Sequence, residues 1–272
     1  MTGRLDPGVE EAIALHSQRN RVGTVLVLGG TAEARRLAAA LRAEGVDVVS
    51  SLAGRVTRPA LPAGRVRTGG FGGPEGLARY LRDAGVGQVV DATHPFAARI
   101  SANAALACAA TEVPLVRLQR PGWRGHPDAD RWTWVADAAA ARAAAAASRR
   151  PFLTTGRQSL SDFAPWADRA VLARVVDPPE QPLPERWTLL LARGPYERNA
   201  EQALMIGHGA DCLVTKDSGG DLTSAKLDAA GALGVPVVVI ERPPPPPGVP
   251  LVTTVADALR VSVGGRPDSH RR

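Results

Sequence analysis

Short β-branched runs alternate along this chain with longer Ala/Leu/Arg stretches of helical period. The first is Thr24–Leu28, closed by Gly29 and Gly30. A helix is expected from about Ala32 to Glu44, with Gly45 as its stop, and a second strand over 46–51. This βαβ unit with short connections favours a parallel sheet. The pattern continues with a strand at Arg65–Thr68 and a helix from Pro74 to about Ala84. Then follow a strand over 88–91, a helix over 95–110 and a strand at Leu115–Leu118. Residues 119–130 form a loop rich in Pro, Gly and charge.

The second half repeats the alternation. A helix is expected in the Ala-rich tract 136–148. Strands are expected over 152–155, 171–176, 189–192, 213–215 and Val237–Ile240, and helices over 197–207 and 222–233. Prolines 243–247 read as an extended link and Val255–Val263 as a last helix or short element. The predicted fold is α/β: two Rossmann-like, doubly wound parallel-sheet lobes with a ligand cleft between them. The expected boundaries are an extension over 1–21, a first lobe over 22–130, a second lobe over 131–263 and a disordered tail over 264–272.

The halves also resemble each other. VVDATHPFAARIS (89–101), followed by VPLVRLQRP (113–121), matches DCLVTKDSGGDLTS (211–224), followed by VPVVVIERP (235–243). Thr93 falls on Thr215, Pro114 on Pro236 and Pro121 on Pro243, at a constant offset of 122. The likeness reflects duplication or convergence on one scaffold, the alternative being the chance similarity of any two parallel α/β units.

Composition narrows the chemistry. The 272 residues are 44% hydrophobic but only 4% aromatic, so Ala, Leu and Val must build the core. The net charge of +6 reflects either an Arg-rich surface or an anionic ligand. Nucleic acid is not expected, because the basic residues do not cluster with aromatics. The two cysteines, Cys108 and Cys212, read as buried small hydrophobes rather than a disulfide or metal site. No signal peptide or membrane-length apolar run is visible, so the expectation is a soluble, cytoplasmic protein.

Polar chemistry gathers at predicted strand ends. GGTAEA (29–34) is not G-x-G-x-x-G. Gly29 and Gly30 nonetheless allow close backbone approach, Thr31 adds a hydroxyl, and Glu33 lies in the first helical turn. The second strand ends SSLAGR (50–55), with Arg55 and no acid. That favours NADPH over NADH, the alternative being an ordinary surface arginine. In DATHPF (91–96), Thr93 reads as a helix cap and His94 as a general acid, a hydrogen-bond donor or a cap. TKDSGG (215–220) with Lys226 reads as an anion loop or a solvated surface loop. His94 has no neighbouring ligand at metal spacing, so no metal is expected. Tyr-x-x-x-Lys, G-x-S-x-G and the P-loop are all absent.

Five ordered stretches, VLGGTAE (27–33), DATHPFA (91–97), RLQRPGW (117–123), LTTG (153–156) and TKDSGG, resemble the precorrin-6A reductase (cobalt-precorrin-6A reductase) family of cobalamin biosynthesis. The resemblance implies an NADPH-dependent oxidoreductase that reduces a carbon–carbon double bond of precorrin-6A, a polycarboxylate macrocycle, to precorrin-6B. It implies cofactor binding by Gly29, Gly30, Thr31, Glu33, Ser51, Gly54, Arg55, Thr93, His94 and Pro95. Substrate binding falls to Lys216, Ser218, Gly219, Gly220 and Thr223, with Arg117 and Arg120 as carboxylate partners. Candidate proton donors are His94, Lys216, Asp217 and water. The alternatives are a reductase of another anionic substrate and a non-enzymatic nucleotide- or tetrapyrrole-binding module. Oligomeric state and metal content of the substrate are not legible in the residues.

Overall fold

A computed structural model describes residues 23–54 and 61–264. The expected extension over 1–21 lies outside the described residues, as do Arg55 and all of the expected tail but Gly264. The chain forms two compact units. One runs to Arg120 and resumes at Pro243; the other is Pro121–Arg242.

The first unit holds β1 (Thr24–Leu28), α1 (Ala32–Ala43), β2 (Val48–Leu52), β3 (Arg65–Thr68), α2 (Pro74–Asp83), β4 (Val86–Asp91), α3 (Ala98–Thr111) and β5 (Leu115–Leu118). After Pro243 it adds β12 (Leu251–Val252) and α7 (Val255–Val263). All strands are parallel, in the order β12-β5-β4-β1-β2-β3. β1 shows why the strand reads as a continuous apolar run. Val25 and Val27 pack with α1 and α7 on one face, and Leu26 and Leu28 pack with α2 and α3 on the other. A sheet covered on both faces needs apolar residues at every position.

The second unit holds β6 (Thr133–Val135), α4 (Ala138–Ala144), β7 (Pro151–Thr154), β8 (Leu172–Val175), β9 (Thr188–Leu191), α5 (Arg198–His208), β10 (Cys212–Lys216), α6 (Ala225–Leu233) and β11 (Val237–Ile240). Its parallel sheet runs β6-β11-β10-β7-β8-β9. Its core joins Phe152, Leu172, Leu213 and Val239 to Met205 of α5 and Leu227 of α6.

The two sheets share one strand order, apart from which end of the chain supplies the last strand. In the second unit that strand is β6, the first in sequence; in the first unit it is β12, the last. The units divide at 120/121 and 242/243, where the expected lobe boundary was 130/131 and the expected second lobe ran on to 263. Both crossings are Arg–Pro, at Arg120–Pro121 and Arg242–Pro243. Proline has no N–H to continue a ladder, so the chain leaves the sheet there. β6 and β12 escaped the sequence reading because edge strands of three and two residues carry almost no periodicity.

Other differences are local. The Ala-rich tract forms only the seven-residue α4, capped by the Asp137 side chain on Ala140 N. α3 starts at Ala98 rather than 95, so Thr93 is not its cap; Ala97 holds that position with no side-chain bond. α6 starts at Ala225, after a 3₁₀ turn over Asp221–Thr223.

Candidate functional site

In the first unit the strand ends of β1, β2, β4 and β5 are tied into one surface. Gly29 N donates to Ser51 O at the end of β2 (2.9 Å). Thr31 caps α1 by accepting from Ala34 N, and its hydroxyl donates to Ala92 O just beyond β4 (2.8 Å). Gly30 lies at φ +111°, with open space where a Cβ would project. Only glycine takes that conformation without strain. The result is an accessible turn leading directly into a twelve-residue helix, whose first N–H groups and dipole favour an anion. Glu33 is held by Arg120 (2.8 Å). These residues suit a dinucleotide diphosphate: the backbone is approachable and the hydroxyl is fixed.

The end of β4 is more strongly built. Asp91 and Arg117 are register partners on β4 and β5, and both are only 2% exposed. Arg117 bonds Asp91, Ser101 Oγ (2.6 Å) and Gln119 Oε1 (2.8 Å). These partners lie inside the first unit and weigh against the expected role of Arg117 as a partner for substrate carboxylates. Thr93 donates both its N–H (3.1 Å) and its hydroxyl (2.7 Å) to Asp91 Oδ1, which is why it caps no helix. The half-buried His94 accepts the Phe96 N–H at Nδ1 (3.2 Å).

The 215–220 loop of the second unit is folded inward. Asp217, buried, accepts from Trp123 N (2.9 Å) and from Arg242 through Nε and Nη2 (3.0 and 3.2 Å). Both oxygens are engaged, so the geometry argues against Asp217 as proton donor. Gly219 has φ +66°, and a Cβ there would sit 2.1 Å from Pro121 O. Trp123 Nε1 donates to Gly220 O (3.2 Å), and buried Lys226 lies over the Trp123 ring while bonding Thr223 O. Ser218 N and Oγ both turn back to Lys216 O. Thr223 Oγ1 is buried with no hydrogen-bond partner.

Lys216 ends β10 and bonds Ser159 Oγ. Burial pushes its pKa below the ordinary value, while Asp162 acts to raise it. Burial lifts both cysteine thiols to about 12, which leaves them inert. Among the described residues no three His, Cys, Asp or Glu side chains cluster as a metal site, and no helix is long and apolar enough to cross a membrane.

The sequence reading did not single out Arg67 or Arg242. Arg67 Nη1 donates to Ser51 Oγ at 3.0 Å. The findable signal was the register of β3 on β2, which sets Arg67 opposite Ser51. For Arg242 the signal was the repeated Arg–Pro.

The family model for precorrin-6x reductase CbiJ/CobK matches residues 24–262. A precorrin-6A reductase of Rhodococcus erythropolis is 53% identical over 237 residues, covering 86% of this chain and 95% of that protein. A cobalt-precorrin-6A reductase of Priestia megaterium is 31% identical, covering 80% and 90%. The solved structure of CobK precorrin-6A reductase superposes with a TM-score of 0.82 at 42% identity, covering 90% of this chain and 99% of that one. Ordered strand-end motifs, a shared fold and identity along nearly the whole chain agree, and the chain belongs to the precorrin-6x reductase family.

Proposed function

We propose that the protein catalyses the NADPH-dependent reduction of one carbon–carbon double bond of precorrin-6A, giving precorrin-6B. The carrying observation is family membership over residues 24–262, joined to an open βα turn of dinucleotide type in the first unit. NADPH, when bound, supplies the hydride.

The chain's own residues divide the remaining tasks. Gly29, Gly30, Thr31 and the first N–H groups of α1 bind the diphosphate. Glu33 is held clear by Arg120. Ser51 and Gly54 belong to the adenosine end; Arg55, assigned there too, lies outside the described residues. Thr93, His94 and Pro95 line the nicotinamide end, where Asp91 fixes Thr93. His94, Lys216, Asp217 and water are the candidate proton donors, and the two engaged oxygens of Asp217 favour the other three. Lys216, Ser218, Gly219, Gly220, Thr223 and Arg120 serve the substrate, whose carboxylates match the chain's net charge of +6. A soluble, cytoplasmic enzyme fits this reading.

The metal-free macrocycle is the favoured substrate. Precorrin-6A reductases of Rhodococcus erythropolis and Sinorhizobium are 53% and 44% identical, while cobalt-precorrin-6A reductases of Priestia megaterium and Synechocystis are 31% and 29% identical. NADPH oxidation should be followed with metal-free and cobalt-bearing substrate in parallel. Turnover of the metal-free substrate is expected. Oxidation with neither would leave a binding module or a different anionic substrate.

A further inference from the structure

β3 carries two arginines two positions apart, and their surroundings differ. Arg65 is exposed and pairs with Asp47 (2.5 Å). Arg67 is half-buried and has no acidic partner among the described residues. Neutral groups hold its guanidinium instead. Nη1 donates to Ser51 Oγ and Gly69 O, and Nη2 donates to Gly70 O, all at 3.0 Å. The guanidinium carbon sits 3.7 Å from the centroid of the Phe71 ring, and Phe71 packs edge-on against Tyr80.

A guanidinium has five N–H groups. Three are used here, which leaves Nε–H and one N–H of Nη2. A cation fixed by carbonyls, a hydroxyl and a ring, with no carboxylate partner among the described residues, is pre-organised for an anion with several acceptor oxygens. Ser51 Oγ accepts from Arg67 and retains its own proton to donate. The position adds the ligand's identity. Ser51 lies at the carboxyl end of β2, and its carbonyl accepts from Gly29 of the diphosphate turn. In open dinucleotide folds the end of the second strand reads the adenosine ribose, and an arginine there accommodates a 2′-phosphate.

We infer that Arg67, seated on Ser51 and stacked on Phe71, binds the 2′-phosphate of the dinucleotide and sets the preference for NADPH over NADH. This rests on the NADPH reading above and assigns its specificity to a residue on the third strand.

The test is direct binding to the full-length protein. Wild type, Arg67→Gln and Arg67→Lys are titrated with NADPH, NADH, 2′,5′-ADP and 5′-AMP, read by calorimetry. Loss of a charge-assisted bond should weaken NADPH and 2′,5′-ADP about ten- to a hundredfold in Arg67→Gln, with NADH and 5′-AMP changed less than about twofold. Arg67→Lys keeps the charge but not the planar fork and should recover part of the loss. Because Arg67 also ties down the Gly69–Gly70 turn, the NADH titration is the internal control. Equal loss for both cofactors, or no loss for NADPH, overturns the assignment. Wild type binding NADH as tightly as NADPH overturns the cofactor reading itself, and the wild-type titrations alone reveal it.

Discussion

The carboxyl ends of β4 and β10 occupy the same place in their respective sheets, yet they are finished in different ways. Val89 faces Leu115 in the first unit and Leu213 faces Val237 in the second. Sheet register therefore relates β4 to β10 by an offset of 124, although β5 and β11 are related by 122. The sequence match of Thr93 with Thr215 is out by two: Thr93 corresponds to Asp217, and Ala92 to Lys216. A slip of two preserves which face each side chain points to, so the apolar pattern could not reveal it.

That register exposes two solutions to one problem. The first unit neutralises its strand end inside the sheet, with Asp91 and Arg117 buried side by side. The surface above stays open, and β1 runs through Gly29 and Gly30 into α1. The second unit neutralises its strand end in the loop, with Asp217 bridging Arg242 and Trp123 N. After β7 its chain makes 3₁₀ turns over Arg157–Ser159 and Ser161–Trp166, so no long helix points its N-terminus at a ligand there. One scaffold thus yields a dinucleotide-type turn in one unit and a closed, polar loop in the other.

The comparison breaks most visibly at the two ion pairs. Arg117→Met strands a buried carboxylate and should destabilise the first unit by about 3–5 kcal/mol. In Arg242→Met the buried Asp217 keeps its Trp123 N–H, and Arg242 is 16% exposed, so a smaller loss of about 1–3 kcal/mol is expected. Urea unfolding measures both, and equal losses would mean that burial does not distinguish the two strand ends.

The glycines come next. Gly219→Ala drives a methyl into Pro121 O at a positive φ and should cost about 2–4 kcal/mol. Gly30→Ala meets open space and should cost only about 1–2 kcal/mol, through φ alone. Dinucleotide affinity should nonetheless fall in Gly30→Ala and hold in Gly219→Ala molecules that remain folded. The reverse order of affinities would move the cofactor out of the first unit.

The smallest effect is at Lys216, which stands where the first unit has buried Ala92. Its folded pKa lies below the ordinary 10.5, so in the window up to 10.5 the unfolded chain binds more protons. Stability should therefore rise with pH in that window, by at most about 1.4 kcal/mol per pH unit. Lys216→Met should flatten the rise and harm substrate turnover more than NADPH binding. An unchanged pH slope would show that the amine is not desolvated in solution.

Much of this protein was legible without coordinates. A two-faced parallel sheet demands continuous apolar strands, and a strand-to-helix turn demands small residues, so β1, α1, β4, β5 and the Gly29–Gly30 turn stand out locally. The ordered motifs, each weak, together carried the family. The polar partners were not legible. Arg117 and Arg67 are both arginines on short strands, one walled in by Asp91, Ser101 and Gln119 and the other left with donors to spare. Sequence marks both as cations; what each cation meets depends on residues 16 to 26 positions away, brought opposite by register.

The same holds for the edges. The sequence by itself determined two α/β halves, the element types and the candidate turns, because those follow from periodicity and backbone sterics over a few residues. Only the tertiary structure decided that β6 and β12 complete their sheets from opposite ends of the chain, that both oxygens of Asp217 are bonded, and which arginines face a carboxylate. Those outcomes depend on burial and pairing between distant segments, which no local pattern encodes.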